Sequence, residues 1–156
     1  MYKKMKNIIL LDLDGVMITT PPWRKDYIDE DGYSQFKSDA VTNLNRLTKQ
    51  VDAELWLISA RRRNYTVEQF NVFFKNRKIE KELSGMVPSY FEYIPRVEEL
   101  KSFLEEEPVD NYLIIDDDSS LESLEDKSFW VKPHSMIGFT EEKLNEALEK
   151  IKYWKV

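Results

Sequence analysis

A chain of 156 residues with 42% hydrophobic side chains, 33% charged ones and no cysteine has room for a core of its own and excludes disulfide staples and thiolate metal sites. Any metal must be held by oxygen or by the lone His134, and oxygen ligands favour magnesium or manganese. A net charge of −6 is the wrong sign for a general nucleic-acid binder, though it leaves room for a local basic pocket.

The amino-terminal lysines Lys3, Lys4 and Lys6 precede an apolar run that Asp12 breaks, too early for a leader or a membrane helix. The expectation is a soluble cytoplasmic protein, a single domain over 1–156, with no membrane contact and no obligate protein partner. The stretch Asn7 to Thr19 reads as a short strand buried on both faces that ends in Asp12-Leu13-Asp14-Gly15. Two carboxylates at the end of a buried strand are costly without a cation or donors. Gly15 lets the chain turn sharply beside a bound ion. Either this is a metal and phosphate site, or the two aspartates are ordinary turn residues.

Residues 20–37 form a loop long enough to expect a function, opening with Pro21-Pro22 and carrying Trp23, Tyr27, Tyr33 and Phe36 beside Arg24 and Lys25. The aromatics either tie the loop to the core, the favoured reading, or make a lid that stacks on a flat substrate. A helix over 39–49 with Ser38 as its cap follows, then a buried strand over 53–58 that ends at Ser59. Arg61, Arg62 and Arg63 come next. In a parallel sheet they face the same edge as Asp12, unless they are a solvated basic turn.

Thr66 and Gln69 have capping-box spacing and open a helix to about Arg77, with Val67, Phe70, Phe73 and Phe74 as its core stripe. The segment 83–95 holds one short strand around 87–90. A helix over 96–105, a strand over 112–115 ending in Asp116-Asp117-Asp118, a strand over 129–131 and a final helix capped by Thr140 complete the chain. That final helix carries Leu144, Ala147, Leu148, Ile151 and Trp154 on its buried side. Two apolar strands, each ending in clustered carboxylates, suggest one shared cation at adjacent strand ends. Alternating strands and helices predict an α/β, Rossmann-like three-layer sandwich with a central parallel sheet. His134, in a Lys-Pro-His-Ser loop, reads as a solvated residue.

In order, Asp12-Leu13-Asp14-Gly15-Val16, Ser59, a basic residue opening a helix and the acidic run after Ile115 resemble the haloacid-dehalogenase (HAD) superfamily of phosphatases. The closest likeness is to the small branch with minimal or no cap, the phosphatase-like domains associated with RNA repair proteins. Pro95-Arg96 through Glu99-Leu100, Ile115 to Ser119 and Gly138 to Thr140 carry that part of the resemblance. It implies that Asp12 is the nucleophile of an aspartyl-phosphate pathway, that Asp14 is the general acid and base, and that Ser59 donates to a phosphoryl oxygen. It also implies a Mg2+ site made by Asp12, the backbone carbonyl of Asp14 and Asp117, with Asp116 beside it and Asp118 the weaker candidate. Arg96 stands where the superfamily usually has lysine, with Lys101 as its competitor, and Arg62 matches the relatives' arginine.

The resulting expectation is a magnesium-dependent phosphomonoesterase with Asp12, Asp14, Ser59 and Arg96 catalytic and with Arg61, Arg62 and Gly15 at the substrate. Its open site admits bulky phosphorylated substrates such as a nucleic-acid 3′-phosphate end, toward which the arginines and loop aromatics lean and from which the acidic whole leans away. The alternatives are a non-catalytic phosphate- and magnesium-binding module and a phospho-receiver, whose acidic pair would lead and whose phosphoacceptor would follow a later strand.

Overall fold

Short apolar runs, each too brief for a stable helix, become the strands of one sheet. The computed structural model describes residues 4–89 and 94–156. The strands are β1 (Asn7–Leu11), β2 (Glu54–Leu57), β3 (Leu83–Met86), β4 (Asn111–Ile115) and β5 (Trp130–Val131), all parallel in the order β3-β2-β1-β4-β5. Parallel neighbours need crossovers, and these are supplied by α1 (Ser38–Gln50), α2 (Val67–Asn76) and α3 (Arg96–Glu106), with α4 (Glu141–Ile151) closing the chain.

Alternate side chains of the strands serve the two faces. Ile9, Leu11, Leu55, Leu57, Leu113 and Ile115 pack with residues of α1, α2 and α4, including Leu44, Phe70, Phe74 and Leu144. Ile8, Leu10, Ile58 and Ile114 pack on the other face with Val97, Leu100 and Phe103 of α3. The fold is therefore the expected three-layer Rossmann-like sandwich, with β1 at its centre buried on both sides.

Some local expectations shift. Helix α1 begins at Ser38 itself, and Lys37 at the cap position makes no side-chain cap bond. The Lys37 amide is already held by the Met17 carbonyl, which sets the entry of the helix. The strand expected around 87–90 lies earlier, at Leu83–Met86. Gly85 hides it from a propensity reading, yet the glycine is needed because a Cβ there would lie 2.8 Å from the Trp56 ring. Val87 still extends the ladder by donating to the Leu57 carbonyl, while Tyr90 falls outside the described residues. Trp154 lies beyond the end of α4, and its indole donates to the Tyr112 carbonyl.

The 20–37 loop contains no helix and no strand of the sheet. Tyr33 and Phe36 are buried, Tyr33 stacking on Phe73 with centroids 4.3 Å apart, so these two aromatics do anchor the loop. Arg77 completes the fastening: it pairs with Asp31 at 2.6 Å and donates to the Ser34, Tyr33 and Phe73 carbonyls. Trp23 and Tyr27 instead stand exposed. No helix among the described residues is long and apolar enough to cross a membrane.

Candidate active site

The register of β1 against β4 pairs Leu11 with Ile115, and the Asp12 amide donates to the Ile115 carbonyl at 3.0 Å. Asp12 and Asp116 thus leave the sheet side by side, one residue past the last paired rung. The chain crosses over in opposite directions on either side of this strand pair, and such a switch point opens a crevice at the carboxyl ends of the strands. Asp12, Asp116 and Asp117 each offer a carboxylate oxygen there, all within 4.8 Å of one another.

Three carboxylates held so close are a poor arrangement for protein alone. Burial, then the neighbouring Asp116, pushes the Asp12 carboxyl well above the usual carboxylate range, and burial also raises Asp116 and Asp117. The donor set fits a hard divalent cation, which would cancel that cost. Gly15 shapes the cradle. Its φ is +82°, and a Cβ there would lie 2.0 Å from Asp117 Oδ2, so only glycine lets this carboxylate approach. The turn behind it is pinned by the amides of Val16, Met17 and Ile18, all donating to the Leu13 carbonyl.

Arg96, the first residue of α3, supplies positive charge at this cluster. Its guanidinium donates to Asp116 at 2.5 Å and lies 3.7 Å from Asp12. Burial alone would lower its pKa, but Asp116 and Asp12 outweigh burial and hold it above the usual value. Lys101 points away, half exposed and paired with Glu98. Asp118 caps the short turn that follows by accepting from the Ser120 amide.

The Asp14 carboxylate is not one of the three clustered groups. It is more than half exposed and is gripped by Arg61 through two parallel bonds of 2.9 Å from Nε and Nη2. Arg61 is held in turn by Asp26 at 2.7 Å and by the Ser34 hydroxyl at 3.0 Å, and that hydroxyl donates to Asp26. Burial would lower the Arg61 pKa, and the bonds to Asp14 and Asp26 overcome it and raise it. Ser59 is fully buried at the end of β2, where its hydroxyl accepts from the Arg61 amide. That leaves its proton available to donate.

Arg62 is not among the residues that line the cleft at these strand ends. It is buried, donates to the Ile58 and Ser59 carbonyls and to Glu99, and faces the core side of the β2 end. The short 3₁₀ turn at Ala60–Arg63 is the reason: it turns neighbouring arginines to different sides of the chain.

A cleft of about 300 Å³ opens at the strand ends, lined by Asp12, Asp14, Gly15, Arg96 and Asp117 together with Pro22, Ser135 and Met136, while Asp116, Ser59 and Arg61 are not in its lining. A larger hollow of about 820 Å³ beside the 20–37 loop contains none of the expected site residues. Chemistry, not volume, identifies the first as the candidate site.

A family model described as the HAD domain in Swiss Army Knife RNA repair proteins matches residues 8–144. The chain belongs to this family. No curated protein matches it. The resemblance carried by the ordered motifs and the α/β fold both hold for this HAD domain, and a buried acidic cluster able to hold a metal stands at its strand ends.

Three participants in the geometry escaped the sequence reading. Asp26 and Ser34 lie in the loop and reach Arg61 only because the Ile28 to Ser34 bridge closes the loop back on itself. No periodicity marks them. Glu99 was findable: it lies three residues after Arg96 and one before the core residue Leu100, on a helix face where a carboxylate would need a buried cation.

Proposed function

We propose that this HAD domain is a magnesium-dependent phosphomonoesterase that works through an aspartyl-phosphate at Asp12, and that its substrate is a phosphorylated nucleic-acid end. The observation that carries the reading is the meeting of Asp12, Asp116 and Asp117 at one crevice with Arg96 beside them. A magnesium ion held by Asp12, Asp117 and the Asp14 carbonyl, with Asp116 alongside, would mask negative charge from an incoming phosphate and polarise a phosphoryl oxygen.

In the first step an oxygen of Asp12 attacks phosphorus in line and the bond to the leaving oxygen breaks. The Asp14 carboxyl gives that oxygen its proton. In the second step Asp14, now a carboxylate, takes a proton from water as the water attacks phosphorus, releasing inorganic phosphate and restoring Asp12. Arg61 orients Asp14 through its two parallel bonds, and an incoming phosphate, itself a bidentate acceptor, draws the guanidinium and frees Asp14 for proton transfer. Arg96 and the Ser59 hydroxyl stabilise charge on the phosphoryl oxygens.

The open cleft, the exposed Trp23 next to the lining residue Pro22, and the adjoining Arg24 and Lys25 suit a polynucleotide end, and the family's description in RNA repair proteins supports that class. The net charge of −6 argues for recognition of the end rather than avid binding along a strand. The test is phosphate release from an aryl phosphate and from 3′- and 5′-phosphorylated oligonucleotides, with magnesium and with chelator. Activity only with magnesium, lost in Asp12→Asn and highest on an oligonucleotide end, supports the proposal. A wild-type protein inert toward the whole set points to a phosphate-binding module instead.

A further inference from the structure

Behind the site, a row of buried charges runs from β2 to the strand-end carboxylates. Arg62 bonds Glu99; Glu99 lies 3.8 Å from Arg96; Arg96 reaches Asp116 and Asp12. None of these side chains is more than 10% exposed. A buried ion pair is a weak source of stability, because desolvation of both groups consumes most of the attraction, and apolar residues of similar size often serve as well. The Arg62–Glu99 pair therefore asks for a reason other than stability.

Its placement gives one. Arg96 opens a helix, where the dipole repels a cation. Glu99, one turn on, is the carboxylate of α3 that faces it, since Glu98 points outward to Lys101. An unpaired Glu99 would hold Arg96 but also neutralise it. With Arg62 cancelling the charge of Glu99, Arg96 keeps its full positive charge for Asp12 and Asp116 and for an arriving phosphate. Arg62 also ties the carbonyl of Ser59 into the same assembly.

We propose that Glu99, neutralised by Arg62, is a positioning residue that aims Arg96 at the strand-end carboxylates and at a bound phosphoryl group. The phosphoryl half of this assignment rests on the phosphatase reading above; the aim of Arg96 does not.

Glu99→Ala alone would leave Arg62 buried and unpaired and endanger the fold, so the informative variant is Arg62→Met with Glu99→Met, compared with Arg96→Met and with the triple replacement. The expected result is a double variant that melts close to wild type without metal. Its phosphate release and its affinity for inorganic phosphate in magnesium should fall by about tenfold to a hundredfold, the reach of a charge-assisted hydrogen bond. Adding Arg96→Met should cause no further loss, because residues acting through one another are not additive. The Arg96 Nε–H, followed by NMR, should be protected from exchange in wild type and lose that protection in the double variant. A folded double variant that keeps wild-type phosphate affinity and Arg96 protection overturns the assignment, as do losses that multiply in the triple variant. A wild-type protein that neither hydrolyses nor binds phosphate refutes the phosphatase reading instead, and the Arg96 exchange then decides the positioning role by itself.

Discussion

Gly15 and Gly32 offer a matched pair of perturbations. Both have φ near +80°, but a Cβ on Gly32 meets nothing within 4 Å, whereas one on Gly15 falls 2.0 Å from Asp117 Oδ2 and 2.5 Å from its Cγ. Gly32→Ala therefore reports backbone strain alone, about 1–2 kcal/mol for a side chain forced into the left-handed region, which corresponds to about 2–8 °C in melting temperature for a domain of this size. Gly15→Ala carries the same strain and must also push the Asp117 carboxylate out of the cluster. Its magnesium affinity, measured by calorimetry, should weaken by about tenfold or more, a loss of at least about 1.4 kcal/mol, while Gly32→Ala binds as wild type does. Equal magnesium affinity in the two variants would refute the role given to Asp117 and the reason given for the glycine.

Asp12→Asn should abolish turnover and yet raise the melting temperature of the metal-free protein at neutral pH. The sign follows from burial: the folded-state pKa of Asp12 is raised, so its carboxyl supports folding below about pH 4 and costs stability as pH rises through the higher folded value. A variant that melts lower than wild type in chelator would contradict this. Arg77→Met removes a buried guanidinium that pairs with the more exposed Asp29 and Asp31 and donates to three carbonyls under the 20–37 loop, and urea unfolding should show a loss of about 1–3 kcal/mol. Arg77 holds Asp31 below the usual carboxylate range, so this support is present above about pH 4 and disappears as pH falls through the lowered folded value. Asp31→Asn should flatten that acid limb of the stability profile. Arg61→Lys keeps the charge but loses the parallel pair to Asp14, and kcat should drop by about tenfold to a hundredfold with KM changing less.

The strand ends were legible because their chemistry is local. An apolar run followed by aspartates shows both the buried strand and the acidic candidate site at its tip, and parallel order brings two such tips together without further information. The place of Arg96 was legible too: a cation at a helix start is a misfit that a nearby anion explains, and Asp116 is that anion. The different partners of Arg61 and Arg62 were not legible, because three consecutive arginines look alike in sequence, while a 3₁₀ turn sends Arg61 to Asp14 and Arg62 to Glu99. The edge strand at Leu83–Met86 was misplaced because Ser84 and Gly85 carry little strand preference, and close passage of Trp56 is a tertiary fact. The loop aromatics divided between two fates, Tyr33 and Phe36 inward and Trp23 and Tyr27 outward, which no single description of the segment foresees.

The most direct test of the account is covalent. Wild-type protein mixed with a phosphorylated substrate and magnesium, quenched rapidly and treated with borohydride, should yield homoserine at position 12, the product of reducing an aspartyl-phosphate, and should yield none when magnesium is chelated. Steady phosphate release with Asp12 unmodified, or homoserine at another aspartate, would contradict the assignment of Asp12 as the nucleophile.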